Sequence, residues 1–344
     1  MTEFFRPTYT EAAGPQRIAS QTRPWHLPEL TVYITDSCAL SCTGCITYNN
    51  YALGGHLELT AEVHSRMSAW AQTVSADRLY IIGGEPLSHP NLAQWMKAVA
   101  ELWPDSRWTI VTNGRGLESR SEEVADWLEQ GWDIEISSHS EEDYTTARTW
   151  WSSMVSELVD KVRHSQQRDQ HGITEYWLDS EGRPMMQIGL RDHFYTSTHT
   201  VTDRGTLAWN RLTSPKSTHR NCDAKACTHL VNGVMYRCPV QAVLPRLSQR
   251  YTIEGEAGVI ASKDLGYDPL KPKSSLSTWM SLLTSSTEQC RLCEWPRAMT
   301  ALGDPTAKKI KLVRRVNPDS PTTALEHPAS PDGDEHLPEP SNQA

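Results

Sequence analysis

The sequence predicts an α/β protein on a parallel sheet. Apolar strand-like runs alternate four times with amphipathic helix-like stretches between residues 30 and 138, and glycine, cysteine and polar residues gather directly after each strand. The first strand covers 30–34 and leads into a loop with Cys38, Cys42 and Cys45. A helix starts near Thr60, a suitable N-cap, with Val63, Met67, Trp70 and Val74 on one face. The second strand, 79–82, ends in Gly83, Gly84, Glu85 and Pro86. A helix from about Asn91, carrying Leu92, Met96, Val99 and Trp103, must stop at Pro104. The third strand, 108–111, runs into Thr112, Asn113 and Gly114, and the helix over 121–130 closes at Gly131, which suits a C′ position. The fourth strand, 133–136, delivers Ser137, Ser138 and His139. Residues 150–162 read as helix and 185–190 as a fifth strand carrying Gln187 and Arg191 to the same edge. Parallel sheets collect ligands at the carboxyl ends of their strands, so the cysteine loop, Glu85, Asn113 and Ser137 belong to one rim. There is no internal repeat and no dinucleotide glycine fingerprint.

Three thiolates in a Cys-x3-Cys-x2-Cys loop hold three irons of a cubane 4Fe-4S cluster and leave the fourth open to an outside ligand. Taken alone, the loop has half of a zinc site as its alternative reading. Gly83 and Gly84 let the backbone approach a ligand or form a turn, and Glu85 offers acceptors to an ammonium group or caps a neighbouring helix. In this order, each directly after a strand, the two segments resemble the signature of the radical S-adenosylmethionine (radical SAM) superfamily. That resemblance implies a partial (β/α)6 barrel, with Cys38, Cys42 and Cys45 on the cluster and SAM chelating the open iron. It also implies Gly83, Gly84 and Glu85 at the methionyl ammonium, and SAM lying across the rim that carries Asn113, with Ser137 or Ser138 at the ribose. Gly44 departs from the family, which commonly has an aromatic residue before the third cysteine. Its packing must then come from elsewhere, with Tyr48 or Tyr51 as candidates.

Five more cysteines, Cys222, Cys227, Cys238, Cys290 and Cys293, bracket a hairpin whose strands, 228–231 and 234–237, are joined by Asn232-Gly233, a dipeptide suited to a type I′ turn. A helix over 276–283 precedes Cys290-x2-Cys293. The order cysteine, Gly233, Cys238 after four residues, then a Cys-x2-Cys pair resembles the twitch subdomain, the short form of the SPASM extension of radical SAM enzymes. This implies an auxiliary 4Fe-4S cluster on four of the five, Cys222 fitting the first position better than Cys227. A spare thiol such as Cys227 has a bond weak enough to give a hydrogen atom to a carbon radical; the alternatives are an inert or ligating cysteine. A structural zinc competes with iron–sulfur for the whole set.

At 344 residues and 38% hydrophobic the chain can bury a sizeable core. No stretch resembles a signal peptide or reaches the roughly 20 apolar residues that span a bilayer, so a cytoplasmic, membrane-free protein with reduced cysteines is expected, in host cytoplasm if phage-encoded. The expected organisation is an N-terminal extension (1–28), a radical SAM core (29–220), a twitch-like unit (221–300), a basic segment (301–316) and a disordered acidic, proline-rich tail (317–344). The tail carries six acids and six prolines; without those acids the net charge of −9 becomes about −3. Before it stand Lys308, Lys309, Lys311, Arg314 and Arg315, which either contact phosphates or face water on a last amphipathic element.

The resemblance implies reductive cleavage of SAM to a 5′-deoxyadenosyl radical that abstracts a substrate hydrogen, with a flavodoxin or ferredoxin-type reductant as partner. The basic residues favour a nucleic-acid or nucleotide-linked substrate. The first reading is isomerisation of an amino-acid-type adduct on a modified thymine in phage DNA hypermodification. The alternatives are a sugar or cyclitol dehydrogenase or epimerase, a peptide maturase and, outside enzymes, a zinc-binding adaptor. The short stretch before the sheet disfavours the maturase, for want of a leader-binding domain. His139 and His193 lie near strand ends, and Trp150 and Trp151 are candidates for substrate stacking; the plain reading of both pairs is structural.

Overall fold

The computed structural model describes residues 16–17, 23–42, 45–51, 53–158, 163–169, 172–179, 182–190, 193–195, 199–293 and 299–301. Gly44, Arg191, the five cations of 308–315 and the acidic tail lie outside the described residues. β1 (Gln16–Arg17) pairs antiparallel with the start of β2 (Trp25–Tyr33). Three helix–strand units follow: α1 (Ala61–Thr73) with β3 (Val74–Ile82), α2 (Leu92–Leu102) with β4 (Arg107–Thr112), and α3 (Ser121–Glu129) with β5 (Trp132–Ser138). α4 (Glu141–Leu158) leads to β6 (Arg163–Asp169), β7 (Gly172–Leu178) and β8 (Pro184–Leu190). Short elements come next: β9 (His193–Tyr195), β10 (His199–Val201), β11 (Leu207–Trp209) and α5 (Pro215–Arg220). β12 (Thr228–Val231) and β13 (Val234–Tyr236) precede α6 (Pro239–Arg250), α7 (Gly255–Ala261), α8 (Leu276–Ser281) and β14 (Met299–Ala301).

One sheet runs in the order β13-β12-β2-β3-β4-β5-β8-β7-β6. From β12 to β8 all neighbours are parallel, and the antiparallel pairs stand at either end. The fold is therefore α/β with a sheet dominated by six parallel strands, its path having two ends. The hairpin of β6 and β7 is an addition to the expected alternation. β6 reads Arg-His-Ser-Gln-Gln-Arg-Asp, an edge strand without apolar alternation, as edges that avoid further pairing require. The β12–β13 hairpin, expected beside the cysteines, also extends the main sheet at the free side of β2.

Local chemistry sets the boundaries. Thr60 Oγ1 accepts from Val63 N–H at 3.2 Å and caps α1, as its type predicts. Val74, expected on the helix, is instead the first residue of β3, where a β-branched side chain packs better. Gly131 has φ +86° after α3. Asn232 and Gly233, with φ +52° and +73°, make the two-residue type I′ turn.

Leu30, Val32, Leu79, Ile81, Ile110, Ile134 and Ile136 turn to one side of the sheet and pack with Trp70, Trp95, Trp103 and Trp151 from the helices. Trp70 Nε1–H donates to Gly233 O at 2.9 Å, tying α1 to the hairpin turn. A second core joins Tyr48, Tyr51 and Leu53, just after the cysteine loop, to Leu207, Val243, Leu244, Leu247 and Ile260. A Cβ on Gly233 would sit 2.5 Å from Arg66 Cβ and 3.1 Å from Val63 O. With a left-handed φ as well, Gly233→Ala is expected to lower stability by about 2 kcal/mol, read as a drop in the urea midpoint with unchanged slope.

Candidate functional site

β2 and β3 run in parallel up to Tyr33 and Ile82. Their pairing continues past the strands. Ile34 N–H donates to Ile82 O at 2.9 Å, Gly84 N–H to Thr35 O at 2.7 Å and Glu85 N–H to Ser37 O at 2.7 Å. The cysteine loop thus leaves β2 zipped to the glycine segment. A Cβ on Gly84 would lie 2.3 Å from Ser37 O and 2.9 Å from Cys38 Cβ, and one on Gly83 2.6 Å from Thr35 O. The close approach that glycine permits is therefore made to the cysteine loop itself.

Glu85 is 5% exposed. Its carboxylate accepts from Leu87 N–H at 3.0 Å, Thr112 O–H at 2.7 Å and Asn113 N–H at 2.7 Å. It caps the turn Pro86–Ser88 and ties the end of β3 to the end of β4, the capping alternative foreseen from the sequence. Burial raises its pKa, and these hydrogen bonds oppose the rise. Three of its roughly four lone-pair sites are filled from within. Asn113 Nδ2 points at Cys38 Sγ at 3.9 Å, and Leu40 N–H donates to the same sulfur at 3.4 Å.

Cys38 and Cys45 pack against the small apolar patch of Leu40 and Cys42. Burial, then the neighbouring Cys45 and Cys38, push the Cys42 thiol up to about 12. Ionising Cys42 in this buried spot beside two other thiols is costly, and a cationic cluster would supply the compensating charge, so the donor set fits a 4Fe-4S cluster. Among the described residues no three His, Cys, Asp or Glu side chains converge on a single-ion site. Two residues before Cys38, Asp36 is 1% exposed and takes both Nη atoms of Arg246 on α6, with Nη1 at 2.9 Å; Tyr33 O–H donates to its Oδ1 at 2.8 Å.

Other predicted residues separate by face. Ser137 is half-buried on the side of β5 away from the helices, whereas Ser138 is fully buried on the core side, its Oγ without a partner. Gln187 lies beside Glu135 in register on the open side. Trp151 is a core residue and Trp150 Nε1–H donates to Ser121 Oγ at 2.9 Å, which gives both rings structural roles. His139 is half-buried after β5, and His193 stands in β9.

In the C-terminal half, Cys238 is the N-cap of α6, its sulfur accepting from Gln241 N–H at 3.5 Å. Burial pushes it up to about 12, with Cys222 and Cys290 adding to the rise. Cys290 Sγ accepts from Thr287 N–H at 3.5 Å, and Cys238 and Cys293 pack against the second core. Cys227 instead turns its thiol to Glu29 Oε2 at 3.5 Å, and burial with that carboxylate holds its pKa well above the ordinary value.

Sequence reading missed a polar face. Glu29, Arg78, Tyr80 and Glu135 alternate with the core residues of their strands and are half-buried on the side away from the helices. Glu29 and Arg78 are neighbours in register, and Arg78 Nη1–H reaches Tyr80 Oη at 3.4 Å. The signal was present: charged residues with period two in strands whose other face is apolar.

Residues 29–166, from β2 through the described start of β6, match the family model of the 4Fe-4S single cluster domain. Over 96 residues the chain is 32% identical to GTP 3′,8-cyclase of Mycolicibacterium smegmatis (strain ATCC 700084 / mc(2)155), a match covering 27% of each protein. Both matches support a radical SAM superfamily enzyme. The chain spans about a quarter of the length of that curated relative. Among the described residues no helix is long and apolar enough to cross a membrane. Since Gly84 cannot accept a Cβ without moving Ser37 and Cys38, Gly84→Ala is expected to lose most of the iron bound at the first three cysteines. Its far-UV circular dichroism should stay close to that of the parent; iron per chain in a variant lacking the C-terminal cysteines measures the effect.

Proposed function

We propose that this radical SAM enzyme cleaves S-adenosylmethionine reductively at a 4Fe-4S cluster held by Cys38, Cys42 and Cys45, on the rim of a partial (β/α)6 barrel. The observation that carries this reading is the hydrogen-bonded seam between residues 35–37 and 84–85, which sets three thiols beside a strand end. Bound there, the cluster and SAM supply a 5′-deoxyadenosyl radical that takes a hydrogen atom from substrate carbon. The chain positions them. The carbonyls of Gly83 and Gly84 accept no hydrogen bond among the described residues and suit the methionyl ammonium, while Glu85 orders that segment from behind. Asn113 supports Cys38, and Ser137, on the open face, is the better placed of the two serines for the ribose. A flavodoxin or ferredoxin-type protein supplies the electron.

Cys222, Cys238, Cys290 and Cys293 hold an auxiliary cluster in a twitch-like unit. In support, Cys222 and Cys290 both bear on Cys238, and Cys227, which also lies near Cys222 and Cys238, is the one whose thiol turns to Glu29 on the sheet. As the spare thiol, Cys227 can return a hydrogen atom to a product radical, a role in which the reductant restores the thiol with one electron and a proton.

For the substrate we carry forward isomerisation of an amino-acid-type adduct on thymine in phage DNA. The five cations between Lys308 and Arg315 support a phosphate-bearing substrate, and the name of the matched relative states action on a nucleotide. A sugar or cyclitol dehydrogenase or epimerase is the second reading, favoured by the half-buried face of Glu29, Arg78, Tyr80, Glu135 and Gln187, which suits a small hydroxyl-rich molecule. The test is 5′-deoxyadenosine release by the reconstituted, reduced enzyme, with a nucleic-acid fraction and a small-metabolite fraction in parallel. Stimulation at least tenfold by nucleic acid, abolished in Cys42→Ala, is expected. Stimulation by metabolites alone selects the second reading, and no release with either removes the proposed chemistry.

A further inference from the structure

Thr47 follows Cys45 by two residues and is 4% exposed. Its Oγ1 lies 3.3 Å from Cys45 Sγ and 2.7 Å from the side-chain amide of Asn49. Which amide atom faces it decides where the Thr47 proton goes. At the far end of the Asn49 amide stand Asp36 O and Tyr33 Oη, each 3.1 Å away. A carbonyl can only accept, and Tyr33 gives its one proton to the buried Asp36 carboxylate at 2.8 Å, so both require a donor and Nδ2 points at them. Oδ1 is left facing Thr47 Oγ1, with Gly84 N–H, in the seam between the strand ends, 3.3 Å from it. Asn49, 1% exposed, is thereby fixed from four sides. The single Thr47 proton has two acceptors within reach, Asn49 Oδ1 and Cys45 Sγ. While Cys45 is a thiol, its S–H donates to Thr47 Oγ1 and the Thr47 proton goes to Asn49. Ligation of iron takes the proton from the sulfur. Lone pairs of oxygen and sulfur would then face each other across this contact unless the hydroxyl turns. Asn49 Oδ1 keeps Gly84 N–H, whereas a ligating sulfur carries negative charge and is the stronger acceptor.

We propose that Thr47 is a positioning residue of the first cysteine site, its hydroxyl turning from Asn49 to donate to the Cys45 sulfur when that cysteine binds iron. This rests on the reading that Cys38, Cys42 and Cys45 hold a 4Fe-4S cluster. A donor to a cluster sulfur stabilises the more negative, reduced state and so raises the reduction potential. At Cys38 the corresponding donor is the backbone N–H of Leu40, at 3.4 Å. At Cys45 it is a side chain, held in place by an amide that also touches Gly84 and Asp36.

The experiment uses the full chain, reconstituted anaerobically and reduced with dithionite. It follows the EPR signal whose g values move on addition of SAM, which separates the first cluster from any other. Thr47→Val keeps the shape of the side chain without the hydroxyl, and Thr47→Ser keeps the hydroxyl. Thr47→Val is expected to shift that signal to a lower potential in a redox titration. It should also lose, in ENDOR spectra compared between light and heavy water, an exchangeable proton coupling that Thr47→Ser retains. Iron lost from Thr47→Val but held by Thr47→Ser would likewise support the role of the hydroxyl. Unchanged potential and coupling in Thr47→Val, or iron lost from both variants, would overturn the role of Thr47 while leaving the cluster reading intact. A parent chain without any SAM-sensitive signal would overturn both.

Discussion

Two backbone hydrogen bonds, Gly84 N–H to Thr35 O and Glu85 N–H to Ser37 O, extend the β2–β3 pairing beyond the strands and hold the cysteine loop in place. Everything proposed for the rim depends on them. Parallel pairing brings two strand ends together, but their loops normally diverge there. Here they stay in contact because neither Gly83 nor Gly84 has a Cβ to separate them, and because the buried Glu85 carboxylate gathers the ends of β3 and β4 into one unit. The sulfur of Cys38 then lies within reach of Asn113, from a third strand end.

The second organising feature reaches across the chain. Asp36, fully enclosed, meets Arg246 on α6, the helix whose N-cap is Cys238. Charge-assisted pairing of a planar guanidinium with a buried carboxylate is directional, and removing one partner of such a pair costs about 3–5 kcal/mol. Tyr48 and Tyr51 add an aromatic contact from the same loop into the C-terminal core. The two cysteine sets thus share structural supports although nearly two hundred residues separate Cys45 from Cys238. A change at one set has a physical route to the other through α6 and the tyrosines.

Much of this was legible in the residues. Short-range chemistry reads well: Thr60 as a cap, Gly131 after α3, Asn232-Gly233 as a turn, and a strand before each functional loop all depend on neighbours in sequence. Features made by distant partners read poorly. Nothing local marks Asp36 as the partner of a residue 210 positions away. The face of Ser138 follows from the register of β5, which continues two residues beyond the apolar run that suggested the strand. The β6–β7 hairpin was missed because an edge strand of polar residues lacks the alternation by which strands are recognised. The reason for the glycines at 83 and 84 also escaped, since close approach to a ligand and close approach to another loop demand the same residue.

The central claim is that the three-cysteine loop presents a cluster with one iron open to SAM. Its most direct test is the EPR spectrum of the reconstituted, dithionite-reduced protein lacking the five C-terminal cysteines, recorded before and after adding SAM. The account predicts a reduced 4Fe-4S signal whose g values change on addition of SAM, and whose change is lost in Gly84→Ala. A cluster signal indifferent to SAM, or a colourless protein without iron, would contradict it.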